Sequence, residues 1–179
     1  MHPQTDSTMT SSQAAVAQEL ENIIHKATTV KISVHIDTIS GDGNCLFRAL
    51  ANAITRNQTG HDVLRLYITS YMAEPVVTQK LQLLIADAER QAESHIQHVI
   101  QMQDAGQWGT EQEIVAAAQL FDCSIVCFSK YSDGQFCIQH FSPHFIHSVN
   151  CTASCNHKTI YLINSSGAHY ESATVLQLL

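Results

Sequence analysis

Apolar positions along the chain fall into helical and extended patterns in turn. Ala15, Val16, Leu20, Ile23 and Ile24 recur at helical spacing and predict a helix over Ser12–Lys26. "KISVHI" (Lys31–Ile36) alternates and reads as a short strand. Leu46, Phe47, Leu50 and Ile54 share one helix face behind Cys45; "NQTGHD" breaks that helix, and Val63, Leu64, Tyr67, Ile68 and Tyr71 mark a second. A third is expected from about Thr78 to Gln103, carrying Leu81, Leu84, Ile85, Ala88, Ile96, Val99 and Ile100, with Gly106 as its stop. Within it, "ERQAESHIQH" reads as a solvated face. Thr110-Glu111-Gln112-Glu113 has the form of a capping box and opens a helix through Ile114, Val115, Ala118 and Leu120. Three strand-like runs close the chain: "CSIVCF" (Cys123–Phe128), "QFCIQHF" (Gln135–Phe141) and "KTIYLIN" (Lys158–Asn164), with "YSDGQ" turning between the first two. Helices come first and a small sheet gathers late, so the class is α+β. Residues 1–12 read as a flexible Ser/Thr-rich lead, and 13–179 as a single domain without repeats.

Composition narrows the function. A chain of 179 residues with 45% hydrophobic and 14% charged residues buries a core and is not disordered. Its formal net charge of -7, without a basic run, argues against nucleic-acid binding and suits a basic protein partner. No apolar run approaches the roughly 18 residues of a membrane span. The polar start "MHPQTDSTMTSSQ" lacks the pattern of a secretory signal. A cytoplasmic monomer is therefore expected, away from membranes, with its six cysteines reduced.

The chemistry concentrates in "SGDGNCLFRALANAI" (Ser40–Ile54). Asn44 is a good N-cap residue type, which puts Cys45 at the first helical position. Free N–H groups and the positive end of the helix dipole there favour thiolate over thiol. Gly41 and Gly43 let the loop turn tightly, so the backbone N–H groups of Asp42, Gly43, Asn44 and Cys45 are candidates for an oxyanion hole, worth ~3 kcal/mol per donor. A cysteine nucleophile also needs a base. Of eleven histidines, His169 in "INSSGAHYES" is the best placed, following a strand, a turn and a glycine. Glu171 stands two residues on, on the same side if the segment is extended.

The other cysteines point elsewhere. "CTASCNH" (Cys151, Cys155, His157), with His144 and His147 upstream, has a C-x3-C-x-H spacing that fits no zinc pattern, and a variable surface loop is the simpler reading. No metal and no cofactor are expected. Cys123, Cys127 and Cys137 fall in strand runs and read as core.

"GDGNCLFRAL", "HDVLRLYITSYM", "QWGTEQEIVAAAQLFDCSIVCF" and "IYLINSSGAHYES" together resemble the ovarian-tumour (OTU) cysteine proteases, over roughly Lys31 to Glu171. The resemblance implies a papain-like OTU fold, with a small central sheet packed between helices. It also implies cleavage of isopeptide or peptide bonds after the C-terminal glycine of ubiquitin. By the same resemblance Cys45 is the nucleophile, His169 the general base and Asp42 the motif aspartate. Glu171 stands where many members carry Asp or Asn to orient the histidine, and whether Glu171 or Asp42 does so here is open. Trp108-Gly109 looks like the family's Trp-Gly element beside the substrate tail, with Ala168 a further substrate contact; plain packing of Trp108 on the capped helix is the alternative. Glu111 and Glu113 face the same choice between meeting a basic ubiquitin tail and capping their helix. The Thr78–Gln103 region corresponds to a ubiquitin-contacting surface in the family. The partner implied is ubiquitin, a polyubiquitin chain or a ubiquitin-like protein. A polyprotein-processing protease and a catalytically weak ubiquitin-binding module are the rival readings.

Overall fold

The computed structural model describes residues 8–28, 31–82, 91–130, 136–143, 158–165 and 167–177. In chain order these form α1 (Ser11–Thr28), β1 (Ile32–Asp37), α2 (Cys45–Thr55), a 3-10 turn (Gln58–Gly60), α3 (His61–Met72), α4 (Pro75–Gln82), α5 (Gln91–Met102), α6 (Glu111–Leu120), β2 (Ser124–Lys130), β3 (Phe136–Phe141), β4 (Thr159–Ser165) and β5 (His169–Gln177). The five strands make one mixed sheet in the order β1-β5-β4-β2-β3. Among the described strands only the β2–β4 pair is parallel.

Alternation along the central strands gives the sheet two apolar faces. Ile125, Cys127, Ile160 and Leu162 pack with α2, α3, α6 and residues of α4 and α5 on one side. Phe128, Ile163 and Ala173 pack with Val16, Ala17 and Leu20 of α1 on the other. This is the expected α+β arrangement of a small sheet between helices. Covering on both faces also explains why "SIVCF" and "TIYLI" read as nearly unbroken apolar runs.

Several local expectations change. β5 was not among the expected strands, yet it lies between β1 and β4, paired with both. Its face toward α2 carries Ser172, which is 1% exposed and accepts a hydrogen bond from Asn52 Nδ2 at 2.9 Å. A polar residue therefore occupies an interior position and hides the alternation. Two helices, α4 and α5, stand where one was expected, with 83–90 outside the described residues. In α5 the polar face is not wholly solvated. His95 is 1% exposed, with Nε2 3.3 Å from the Met72 carbonyl, and His98 is turned to Glu113, while Ile96 and Ile100 face solvent. Hydrogen-bond partners inside outweigh the apolar pattern at these positions.

The residues of the cysteine–histidine cluster (Cys151, Cys155, His157, His144 and His147) lie outside the described residues, as do 1–7 of the lead and the "YSDGQ" turn. Among the described residues no group of three or more His, Cys, Asp or Glu is placed to hold a metal ion. No described helix is long and apolar enough to cross a membrane.

Candidate active site

Cys45 opens α2 and is 8% exposed. Asn44 does not cap the helix with its side chain, contrary to expectation. Its Oδ1 instead accepts from the Gly106 N–H at 2.8 Å and from Arg65 Nη2 at 2.9 Å. Two strong donors from elsewhere outcompete the local cap, and the side chain becomes a tie between the Cys45 loop and the α5–α6 connection. Gly43 has φ +81, and a Cβ there would meet the Gly106 carbonyl oxygen at 2.5 Å, so only glycine fits.

Asp42 braces the loop. Its carboxylate accepts from Arg48 Nη2 at 2.6 Å and from Arg48 Nε at 3.1 Å, and its Oδ1 accepts the Asn44 N–H at 3.1 Å. The Arg48 guanidinium holds the Asp42 carboxyl well below the usual carboxylate range. Arg48 also donates to the Gln58 carbonyl at 3.3 Å, and Gln58 Nε2 donates to the Thr38 carbonyl at 2.8 Å. One consequence concerns which loop N–H groups stay open. The Asn44 N–H is spent on Asp42, whereas the N–H groups of Asp42, Gly43 and Cys45 have no partner among the described residues.

Arg65 was not singled out in the sequence, yet it organises the back of this loop. It is 2% exposed and stacks on the Phe47 ring at 3.9 Å. Nη1 donates to the Met102 carbonyl at 3.0 Å, and Nη2 donates to the Gln107 carbonyl at 2.9 Å as well as to Asn44. Burial pulls its pKa down, against the nearby acids Glu113 and Asp42. An arginine in the middle of "HDVLRLYITSYM", breaking an apolar face, is the only sequence signal of this role.

His169 begins β5, opposite Ser165. A Cβ on Gly41 would lie 3.7 Å from its Cε1 and 3.8 Å from its Nδ1, so the imidazole sits over the start of the loop that leads to Cys45. Glu171 is partly buried, and its Oε1 accepts from Gln13 Nε2 at 2.7 Å. Neither Asp42 nor Glu171 makes a hydrogen bond or ion pair with His169 among the described contacts. Ala168 is exposed in the turn before β5. Trp108 is 62% exposed, and Gly109 lies so close to Leu46 of α2 that a Cβ would collide with that side chain. Glu113 is fully buried in the capping box, its Oε2 accepting the Thr110 N–H at 2.6 Å, and so offers nothing to a partner; Glu111 is exposed.

Chemically this is the layout of a cysteine hydrolase: a thiol at a helix start, open loop N–H groups beside it, and an imidazole over the same loop. Family models agree, with the OTU-like cysteine protease model matching residues 40–170. The chain belongs to that family. Among solved structures it resembles the OTU domain of OTUD1, with 18% identity and a TM-score of 0.65 over 90% of this chain and 96% of that one. It also resembles the Hazara virus OTU bound to ubiquitin, with 12% identity and a TM-score of 0.58 over 82% and 89%. A ubiquitin-bound OTU deubiquitinase from Wolbachia pipientis wMel matches with 15% identity and a TM-score of 0.58, over 79% and 95%. A search of curated protein sequences finds no significant match.

Proposed function

We propose that the protein is a deubiquitinase that hydrolyses isopeptide or peptide bonds after the C-terminal glycine of ubiquitin. The observation that carries this is the pairing of Cys45, at the start of α2 beside unoccupied loop N–H groups, with His169 over Gly41. The ubiquitin-bound structures among its structural neighbours supply the substrate class. His169 takes the Cys45 proton, and the sulfur attacks the carbonyl carbon of the last glycine. The N–H groups of Asp42, Gly43 and Cys45 receive the developing oxyanion. His169 returns the proton to the lysine amine as the C–N bond breaks, leaving a thioester. Water, giving its proton to His169, then attacks that carbonyl and the C–S bond breaks. The exposed Trp108, the close-set Gly109 and Ala168 border the path of the ubiquitin tail, and exposed Glu111 suits its basic residues.

The protein acts as a monomer in a reducing, cytoplasmic setting, on ubiquitin or its chains and without nucleic acid or membrane. Free thiols at Cys45, Cys123, Cys127 and Cys137 are in keeping with that setting. Burial pushes the Cys127 thiol up to about 11 and raises that of Cys123, so neither competes with Cys45 as a nucleophile. The test is a ubiquitin probe carrying a C-terminal electrophile. Wild type should gain one ubiquitin mass and Cys45→Ala none. Labelling that survives in Cys45→Ala, or that maps to Cys151, overturns the assignment.

A further inference from the structure

Gln13 lies in the first turn of α1, outside residues 40–170 that the family model matches, and Glu171 falls one residue beyond that span. Gln13 is only 7% exposed, and its amide is fully committed. Oε1 accepts the Thr10 N–H at 2.8 Å, while the Gln13 N–H donates to Thr10 Oγ1 at 3.2 Å, a reciprocal cap that fixes the side chain at the helix start. Nε2 then has two hydrogens to give. One goes to Glu171 Oε1 at 2.7 Å and the other to Thr38 Oγ1 at 3.1 Å.

Those two acceptors belong to the two arms of the site. Thr38 begins the segment that runs through Gly41 into the nucleophile loop, and Gly41 is the residue His169 covers. Glu171 is two residues beyond His169 on β5. Residues two apart on a strand share a face, with Cα atoms about 6.6 Å apart. One buried amide therefore bridges the strand of the base and the approach to the nucleophile, and it pins a carboxylate on the base's side of the strand. We propose that Gln13 is a positioning residue of the active site, acting through Glu171 to hold His169 in register with Cys45. The inference rests on the catalytic reading of Cys45 and His169. It also accounts for the longer carboxylate at position 171: the extra reach meets a donor from a helix outside the matched region.

The test is a double-mutant cycle on hydrolysis of ubiquitin–aminomethylcoumarin. Gln13→Met keeps the shape and removes both donors. It should lower kcat about tenfold with KM within about twofold, because the amide touches the base's support and not the substrate. In a Glu171→Gln background the same substitution should add little. Thr38→Val, which leaves the Glu171 contact intact, should keep kcat within about twofold of wild type. If Gln13→Met does not fold, Gln13→Ala, which admits water beside Glu171, is read by the same cycle. An unimpaired kcat in a folded Gln13 variant overturns the inference. So does a loss that multiplies fully with that of Glu171→Gln, or one matched by Thr38→Val, since each outcome means that Gln13 serves the fold alone. A wild type that neither turns over this substrate nor takes the ubiquitin probe overturns the deubiquitinase reading and this inference with it.

Discussion

Around Cys45, two arginines fix backbone that has no regular partner. Arg48 braces Asp42 with a charge-assisted pair, and Arg65 gathers Asn44 and the Met102 and Gln107 carbonyls behind it. Around His169, the ladder with β4 and β1 does most of the holding, and neutral amides finish it: Asn52 on Ser172 and Gln13 on Glu171. The difference follows from the task. An oxyanion loop must leave backbone N–H groups unpaired, so its shape has to come from side chains, and charged groups supply strong, directional ones. A base needs orientation, most of which a strand provides and neutral amides complete.

Breaking the charged side should cost most. Arg65→Met leaves the Met102 and Gln107 carbonyls without their buried donor, and Asn44 Oδ1 with the Gly106 N–H alone, at about 1–3 kcal/mol for each acceptor left unpaired beyond the reach of water. We expect about 3–4 kcal/mol of lost stability in urea unfolding, with activity falling beyond what unfolding explains. Arg65→Lys should rescue little, since an ammonium cannot stack on Phe47 and span three acceptors at once. A stable, active Arg65→Met would erase the contrast between the two sides.

On the histidine side, Glu171→Gln should lower kcat roughly ten- to a hundredfold, about 1.4 to 2.7 kcal/mol of transition-state stabilisation, and leave ubiquitin binding nearly unchanged. Asp42→Asn is its counterpart in the loop. Because the Asp42 side chain is 41% exposed, the pair with Arg48 is discounted for solvent, and we expect less than about a tenfold loss and under about 1 kcal/mol of stability. Steady-state kinetics on the two variants in parallel decides between the acids. An inactive Asp42→Asn beside a fully active Glu171→Gln would move the orienting role to the loop.

The ordering of these effects also shows what was legible in the sequence. The glycine turn and the helix start at Cys45 could be read because they are local features of the chain. So could the capping box at Thr110–Glu113, which the structure reproduces. Asn44 was misread because a cap is the local choice and its real partners, Arg65 and Gly106, lie 21 and 62 residues away. Arg65, Gln13 and β5 were missed for the same reason. Each is a polar residue or polar-faced strand whose interior place is licensed by partners distant in sequence. Hydrophobic periodicity reports burial of apolar groups and is blind to polar groups whose burial rests on partners distant in sequence.

The smallest effect tests whether the charged fastening extends to α5. His98 Nε2 lies 2.7 Å from Glu113 Oε1, while Glu113 Oε2 is held by Thr110. That helix start follows directly on the connection whose Gln107 carbonyl meets Arg65. The hydrogen bond to Glu113 raises the His98 pKa above its ordinary value, with burial opposing. A group whose folded pKa is raised gives stability that is fully present below its unfolded pKa, about 6.5, and lost as pH rises through the folded value. Neutral His98 still donates one hydrogen bond to the carboxylate, so only the charge-dependent part goes, at most about 1 kcal/mol. Denaturant unfolding of wild type and His98→Gln should therefore differ more at pH 6 than at pH 8.5, with wild type the more stable at the lower pH. A gap that stays constant, or widens as pH rises, would mean that His98 is held in its neutral form and that the charged network stops at Arg65.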